Sequence, residues 1–225
     1  MIPLKDDNPL SRVPIITYLI IALNVFLFGY ELYLGMGLEI FIRRFGCTPY
    51  EITHVVDLEP HLNFPVYFTL ISSIFLHGSW YHILGNMWFL FIFGDNIEDW
   101  LGHWRFILFY FGCGIVASIV QILFHPVSKI PTIGASGAIA GIMGAYLILY
   151  PRARVLCLVP IFFFFRIMRL PAFLFLGVWI MWQLFASTVS FQGSTNIAFF
   201  AHIGGFFVGL LWVRWLRRHK FMGWL

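Results

Sequence analysis

The chain has 225 residues, a formal charge of +4, and a composition that is 60% hydrophobic and only 11% charged. A water-soluble domain of this size needs roughly a quarter of its residues charged to keep its surface wet, so a soluble globular protein is excluded. Runs of about 20 apolar residues point instead to an integral membrane protein.

The first predicted span, 13–34, follows a polar segment and lacks a small-residue cleavage site, so it reads as a retained helix, not a signal peptide. Pro14 suits its first turn. Residues 35–78 form a long amphipathic loop 1 carrying Glu39, Glu51, Asp57 and Glu59. The apolar stretch 64–93 is too long for one crossing. His77-Gly78-Ser79 breaks it, and Ser79 is the expected N-cap of a second span, 79–97. Residues 66–76 are then too few to cross and read as a partly embedded segment. Further spans are predicted at 106–124, 134–150, 171–190 and 197–216, with Pro151 and Pro171 marking the end of the fourth and the start of the fifth. Residues 155–165, ended by Arg166 and Arg169, read as a second surface-lying amphipathic segment. The expected fold is an all-α polytopic membrane protein, a single domain over 1–225 with six helices and a long loop 1.

Lys and Arg give the orientation. Lys5, Arg12, Arg105, Arg152, Arg154, Arg166, Arg169, Arg214, Arg217, Arg218 and Lys220 fall on one side, and Arg43, Arg44 and Lys129 on the other. The richer side is cytoplasmic, so both termini are expected there, in a bacterial or archaeal cell membrane. This asymmetry accounts for the net charge, and no nucleic-acid partner is expected. Cys47, Cys113 and Cys157 are far apart, and no CxxC or Cys/His spacing occurs, so no metal or cofactor is expected either.

Reactive groups inside a bilayer are expensive and mark functional sites. Ser136 lies in Gly134-Ala135-Ser136-Gly137 at the start of the fourth span, where unpaired N–H groups and the helix dipole favour negative charge. His202 lies in Ala201-His202-Ile203-Gly204-Gly205, about 7–8 Å into the sixth span if that span begins at residue 197. His82 and Asn86 are four apart on one face of the second span, at the same predicted depth. Gly137, Ala140, Gly141 and Gly144 form one small-residue stripe, and Ala198, Ala201, Gly205 and Gly209 form another. Such stripes let helices approach closely enough to pair a serine with an imidazole. Residues 100–225 contain no Asp or Glu, so a Ser–His dyad is expected, with the imidazole oriented by packing. His77, which precedes the Ser79 cap, is expected to have a structural or loop-orienting role. Asp95, Glu98 and Asp99 are expected to cap and pair ions in a short turn near Arg105. Each of these residues alone also reads as ordinary helix packing or hydrogen-bonding glue.

Together, the chain resembles a rhomboid intramembrane serine protease over nearly its whole length. The resemblance rests on His77-Gly78-Ser79-Trp80-Tyr81-His82 with Asn86, on 94–99 and 101–106, on Gly134-Ala135-Ser136-Gly137 with Gly141 and Gly144, and on Ala201-His202-Ile203-Gly204-Gly205. It implies that Ser136 is the nucleophile, His202 the general base, and His82 and Asn86 the oxyanion-hole residues. It also implies a six-helix core that cleaves transmembrane proteins near their extracytoplasmic ends. Two departures stand out. Ala140 occupies a position where some members carry an aromatic residue against the histidine, and Val66-Tyr67 stands where some carry Trp-Arg. The rival reading is a catalytically silent relative that binds membrane clients. A transporter is disfavoured because paired ionisable residues along a through-path are missing, and zinc or aspartyl intramembrane proteases because HExxH and an aspartate pair in the spans are missing.

Overall fold

The computed structural model describes residues 1–59, 61, 64–190 and 198–220. The predicted start of the sixth span at residue 197 lies outside them. Helix α1 runs over Ile15–Leu34, with Pro14 as its N-cap and not within its first turn. Its N-terminus abuts a carboxylate from elsewhere in the chain. Glu98 accepts from the N–H groups of Ile16 (2.9 Å) and Thr17 (2.7 Å) and from the Thr17 hydroxyl (2.7 Å). A negative group is favoured there because the first N–H groups of a helix lack partners and carry the positive end of its dipole.

Among its described residues, loop 1 holds three short helices, α2 (Leu38–Phe45), α3 (Pro49–His54) and α4 (Thr69–Ser72), the last between single 3-10 turns at Val66–Phe68 and Ser73–Phe75. Its backbone is tied to the segment before Ser136. Cys47 and Thr132 exchange two N–H···O bonds (3.0 and 2.8 Å), and the Gly134 N–H donates to the Ser73 carbonyl (2.8 Å). Cys47 is buried, which pushes its thiol up to about 12 and leaves it protonated and unreactive.

Helices α5 (Trp80–Leu101) and α6 (His103–Phe124) meet at Gly102, whose φ of 79° is open to glycine at little cost. Ser79 caps α5 as expected, accepting from the His82 N–H at 3.2 Å. Helix α5 runs four residues past the predicted end of the second span, so Asp95, Glu98 and Asp99 lie in its last turns and not in a connecting turn. The capping is of the α1 end: Glu98 holds the α1 N-terminus, and Asp99 accepts from Ser11. The ionisable partner of Glu98 is His103, at 2.6 Å.

Helix α7 (Ser136–Leu149) is buried over all of residues 137–146 and forms the centre of the bundle. Helices α8 (Ala172–Ser190) and α9 (Phe199–Lys220) complete it. By length and composition, the stretches Ile15–Phe45, His103–Phe124 and Phe199–His219 suffice to cross a membrane, and α7 and α8 are shorter apolar helices. The α7–α9 contact is backbone on backbone. A Cβ added at Gly205 would overlap the Gly137 carbonyl, one at Gly209 the Gly141 carbonyl, and one at Gly144 the Phe206 carbonyl. On the other side of α7, a Cβ at Gly141 would lie 2.5 Å from the Cβ of Cys113 in α6.

The chain is mostly helical, as expected, but it is not all-α. Strands β1 (Ile2–Asp6), β2 (Arg154–Ile161) and β3 (Phe164–Pro171) form an antiparallel sheet in the order β1-β2-β3. Residues 155–165, expected as a surface-lying amphipathic segment, are therefore part of a β hairpin. The β-branched and aromatic side chains there suit a pleated surface, and the inward positions alternate, with Val155 and Cys157 fully buried against the helices. Asp6 fastens the sheet to α7 and α5, accepting from the Tyr146 hydroxyl (2.6 Å) and from Asn96 (3.0 Å). Burial raises the Asp6 carboxyl above its ordinary value.

Candidate active site

Ser136 is the first residue of α7, preceded by a tight loop. The shape of that loop depends on Gly134, whose φ is 116°. A Cβ at Gly134 would lie 2.5 Å from His82 Nε2 and 3.6 Å from Asn86 Nδ2. The glycine thus lets the chain entering α7 press directly against the α5 face that carries His82 and Asn86. His202 sits in the first turn of α9, its N–H donating to the Ala198 carbonyl at 3.2 Å. The glycine contacts between α7 and α9 bring the two side chains together. His202 Nε2 is 2.7 Å from Ser136 Oγ, across 66 residues of sequence.

The other imidazole nitrogen is also engaged. His202 Nδ1 lies 2.9 Å from Oε1 of Gln183 on α8. With the proton on Nδ1, that nitrogen donates to Gln183 and Nε2 is free to accept from the serine hydroxyl, so one tautomer satisfies both contacts. A hydrogen bond thus joins the packing expected to orient His202. Packing contributes through Trp179 and Phe199, whose ring centroids lie 6.0 and 6.4 Å from the imidazole.

Asn86 is held from behind. Its Nδ2 is 3.0 Å from His77 Nε2, and the backbone N–H of His77 donates to both carboxylate oxygens of Glu31 (3.1 and 3.2 Å). Glu31 and His77 are fully buried and Asn86 nearly so. An Asn amide has two N–H donors, so one fixed on His77 leaves the other for the site. The His77 ring also packs edge-on against His82, at 5.0 Å between centroids. The contact His77 Nε2 makes is with the Asn86 side chain, not with a loop.

Ser136, His202, His82, Asn86 and Gln183 all line one cavity of about 930 Å³, whose apolar wall includes Ile133, Met143, Trp179 and Phe199. All four predicted site residues are gathered there, and Gly137, Gly141, Gly144, Gly205 and Gly209 form the contacts behind them. Gln183 and Glu31 went unread in the sequence. The signal for Gln183 was an amide within an otherwise apolar run. Among the described residues, no group of three or more His, Cys, Asp or Glu side chains is placed to hold a metal.

A helical, largely apolar chain with a serine and a histidine paired between two glycine-rich helices belongs among integral membrane proteins carrying a buried polar site. The family is specified by comparison. A family model described as the Rhomboid domain matches residues 65–219, and the chain belongs to the rhomboid family. The rhomboid protease GluP of Bacillus subtilis is 33% identical over 135 residues, covering 60% of this chain and 24% of that protein. Rhomboid-like protein 11, chloroplastic, of Arabidopsis thaliana is 31% identical over 93 residues, 41% of this chain and 33% of the relative. Rhomboid protein 1, mitochondrial, of Saccharomyces cerevisiae is 28% identical over 156 residues, 64% of this chain and 40% of the relative. The chain thus matches less than half the length of each of these relatives, which come from a bacterium and from two kinds of organelle.

Proposed function

We propose that this protein is an intramembrane serine endopeptidase that cleaves transmembrane proteins near their extracytoplasmic ends, using Ser136 and His202 as a dyad. The observation that carries the reading is the 2.7 Å contact between Ser136 Oγ and His202 Nε2 at the same end of two apolar helices. Ser136 Oγ attacks the scissile carbonyl while Nε2 takes its proton, and the imidazolium returns that proton to the departing amine. Water then attacks the acyl-enzyme, with His202 again as base. The tetrahedral oxyanion is met by the Ser136 N–H, by Asn86 and by His82. The Asn86 donor is preorganised by His77 and Glu31.

The architecture we propose has six membrane-crossing helices, α1 and α5 through α9, with loop 1 partly embedded and both termini cytoplasmic in a bacterial or archaeal cell membrane. The Lys and Arg asymmetry supports that orientation, and the family match supports the membrane setting. Ser136 and His202 then open toward the outer leaflet, where a substrate's helix ends. The partners are transmembrane protein substrates and the lipid bilayer. The test is incubation of purified protein and of Ser136→Ala with a transmembrane substrate in detergent. Cleavage by the former alone is expected, and equal cleavage by both would exclude the mechanism.

A further inference from the structure

An imidazole with no partner on Nδ1 has two neutral tautomers and can turn about its ring axis. Only one tautomer in one orientation presents a lone pair to a serine hydroxyl; the other places an N–H against it and takes no proton. Serine hydrolases commonly solve this with a carboxylate on Nδ1, but residues 100–225 hold none. We infer that Gln183 is the residue that positions the catalytic histidine, its Oε1 accepting the Nδ1–H of His202 so that Nε2 faces Ser136 Oγ. The inference rests on the reading of Ser136 and His202 as nucleophile and base.

The geometry favours this role over incidental contact. Gln183 is only 7% exposed, and Oε1 is 2.9 Å from Nδ1. Trp179 lies one turn earlier on the same face of α8, with its ring 6.0 Å from the imidazole, so one helix supplies both the polar and the apolar restraint. A neutral amide also suits the place. A carboxylate on an apolar helix carries a large desolvation cost whenever its partner is uncharged, and a hydrogen-bonded amide carries a much smaller one. Neither α7 nor α8 carries an Asp, Glu, Lys, Arg or further His, and among the described residues the titratable groups that line the cavity with His202 are Tyr81 and His82 of α5 and His125 at the end of α6.

The role is tested with Gln183→Leu and Gln183→Glu in the full chain, assayed on a transmembrane substrate in detergent, with Ser136 labelling by a fluorophosphonate as a second readout. Gln183→Leu is expected to lower kcat about 10-fold to 100-fold, less than loss of a triad carboxylate. KM is expected to change less than about 2-fold, and labelling to slow in parallel. Gln183→Glu keeps an acceptor of the same length and adds a charge that favours the imidazolium. It is expected to stay within about 10-fold of the parent in kcat and to move the acid limb of the kcat/KM profile to higher pH. A merely structural glutamine would leave that limb in place in any variant that folds. Parental kcat in Gln183→Leu, or a parental acid limb in Gln183→Glu, overturns the inference, and the second decides if the first variant does not fold. Turnover by Ser136→Ala would instead overturn the dyad itself, so the two failures are distinguishable.

Discussion

Ser136 and His202 act as one unit in this account, because the 2.7 Å contact gives each a role only in the presence of the other. Ser136→Ala and His202→Ala are each expected to abolish proteolysis in a folded protein, and the double variant to be no worse than either. Additive losses measured on purified variants would mean that the residues act separately. Asn86→Ala is expected to lower kcat roughly 10-fold to 1000-fold with KM nearly unchanged, as removal of one preorganised oxyanion donor does. An effect confined to KM would reassign Asn86 to substrate binding. Ser136, His202, His82 and Asn86 were legible in the sequence because polar groups in apolar runs are costly and few. Gln183 and Glu31 are just as buried but were not legible. An amide in a span reads equally as interhelical glue, and Glu31 stands near the end of a span, where a carboxylate needs no special explanation. Their partners lie 19 and 46 residues away, and only the folded chain places them.

The helices were largely readable and the strands were not, for a physical reason. Helix periodicity and span length are local, whereas β1 pairs with residues some 150 positions further on, and the run Phe162-Phe163-Phe164-Phe165 hides the period-two alternation of the hairpin. The sheet offers its own test through Asp6. Its carboxyl is raised by burial in the folded state, so the stability it contributes is present below the unfolded value and is lost as pH rises through the folded one. The Tm of the parent is therefore expected to fall relative to Asp6→Asn as pH is raised from about 4 toward neutral, measured by thermal unfolding in detergent. A constant difference would contradict the burial argument. The glycine stripes were legible and make a stronger prediction. Gly205→Leu places a side chain where the Gly137 carbonyl lies. It is expected to force α7 and α9 apart, and a displacement of about 1 Å can cost on the order of 100-fold in rate. Stability should fall with activity, while Ile148→Leu, a volume-conserving change, should be mild. Full activity in Gly205→Leu would show that the α7–α9 packing is wrong.

At the scale of the molecule, the bundle surrounds one short, buried helix, α7, whose N-terminus carries the serine and whose C-terminal part is tied to the N-terminal strand. Loop 1, α5, α8 and α9 each bring one layer to that N-terminus: a backbone anchor at Ser73, the Asn86 and His82 face, the Gln183 amide, and the His202 imidazole. A polar site is thereby assembled in a chain whose composition otherwise favours lipid. The most direct test of the proposed activity is mass analysis of the products from a purified transmembrane substrate, reconstituted in liposomes with the parent protein or with Ser136→Ala. A single internal cut near the extracytoplasmic end of the substrate helix is expected with the parent and none with Ser136→Ala. The same cut made by Ser136→Ala, or an intact substrate with a parent protein shown to be folded, would contradict it.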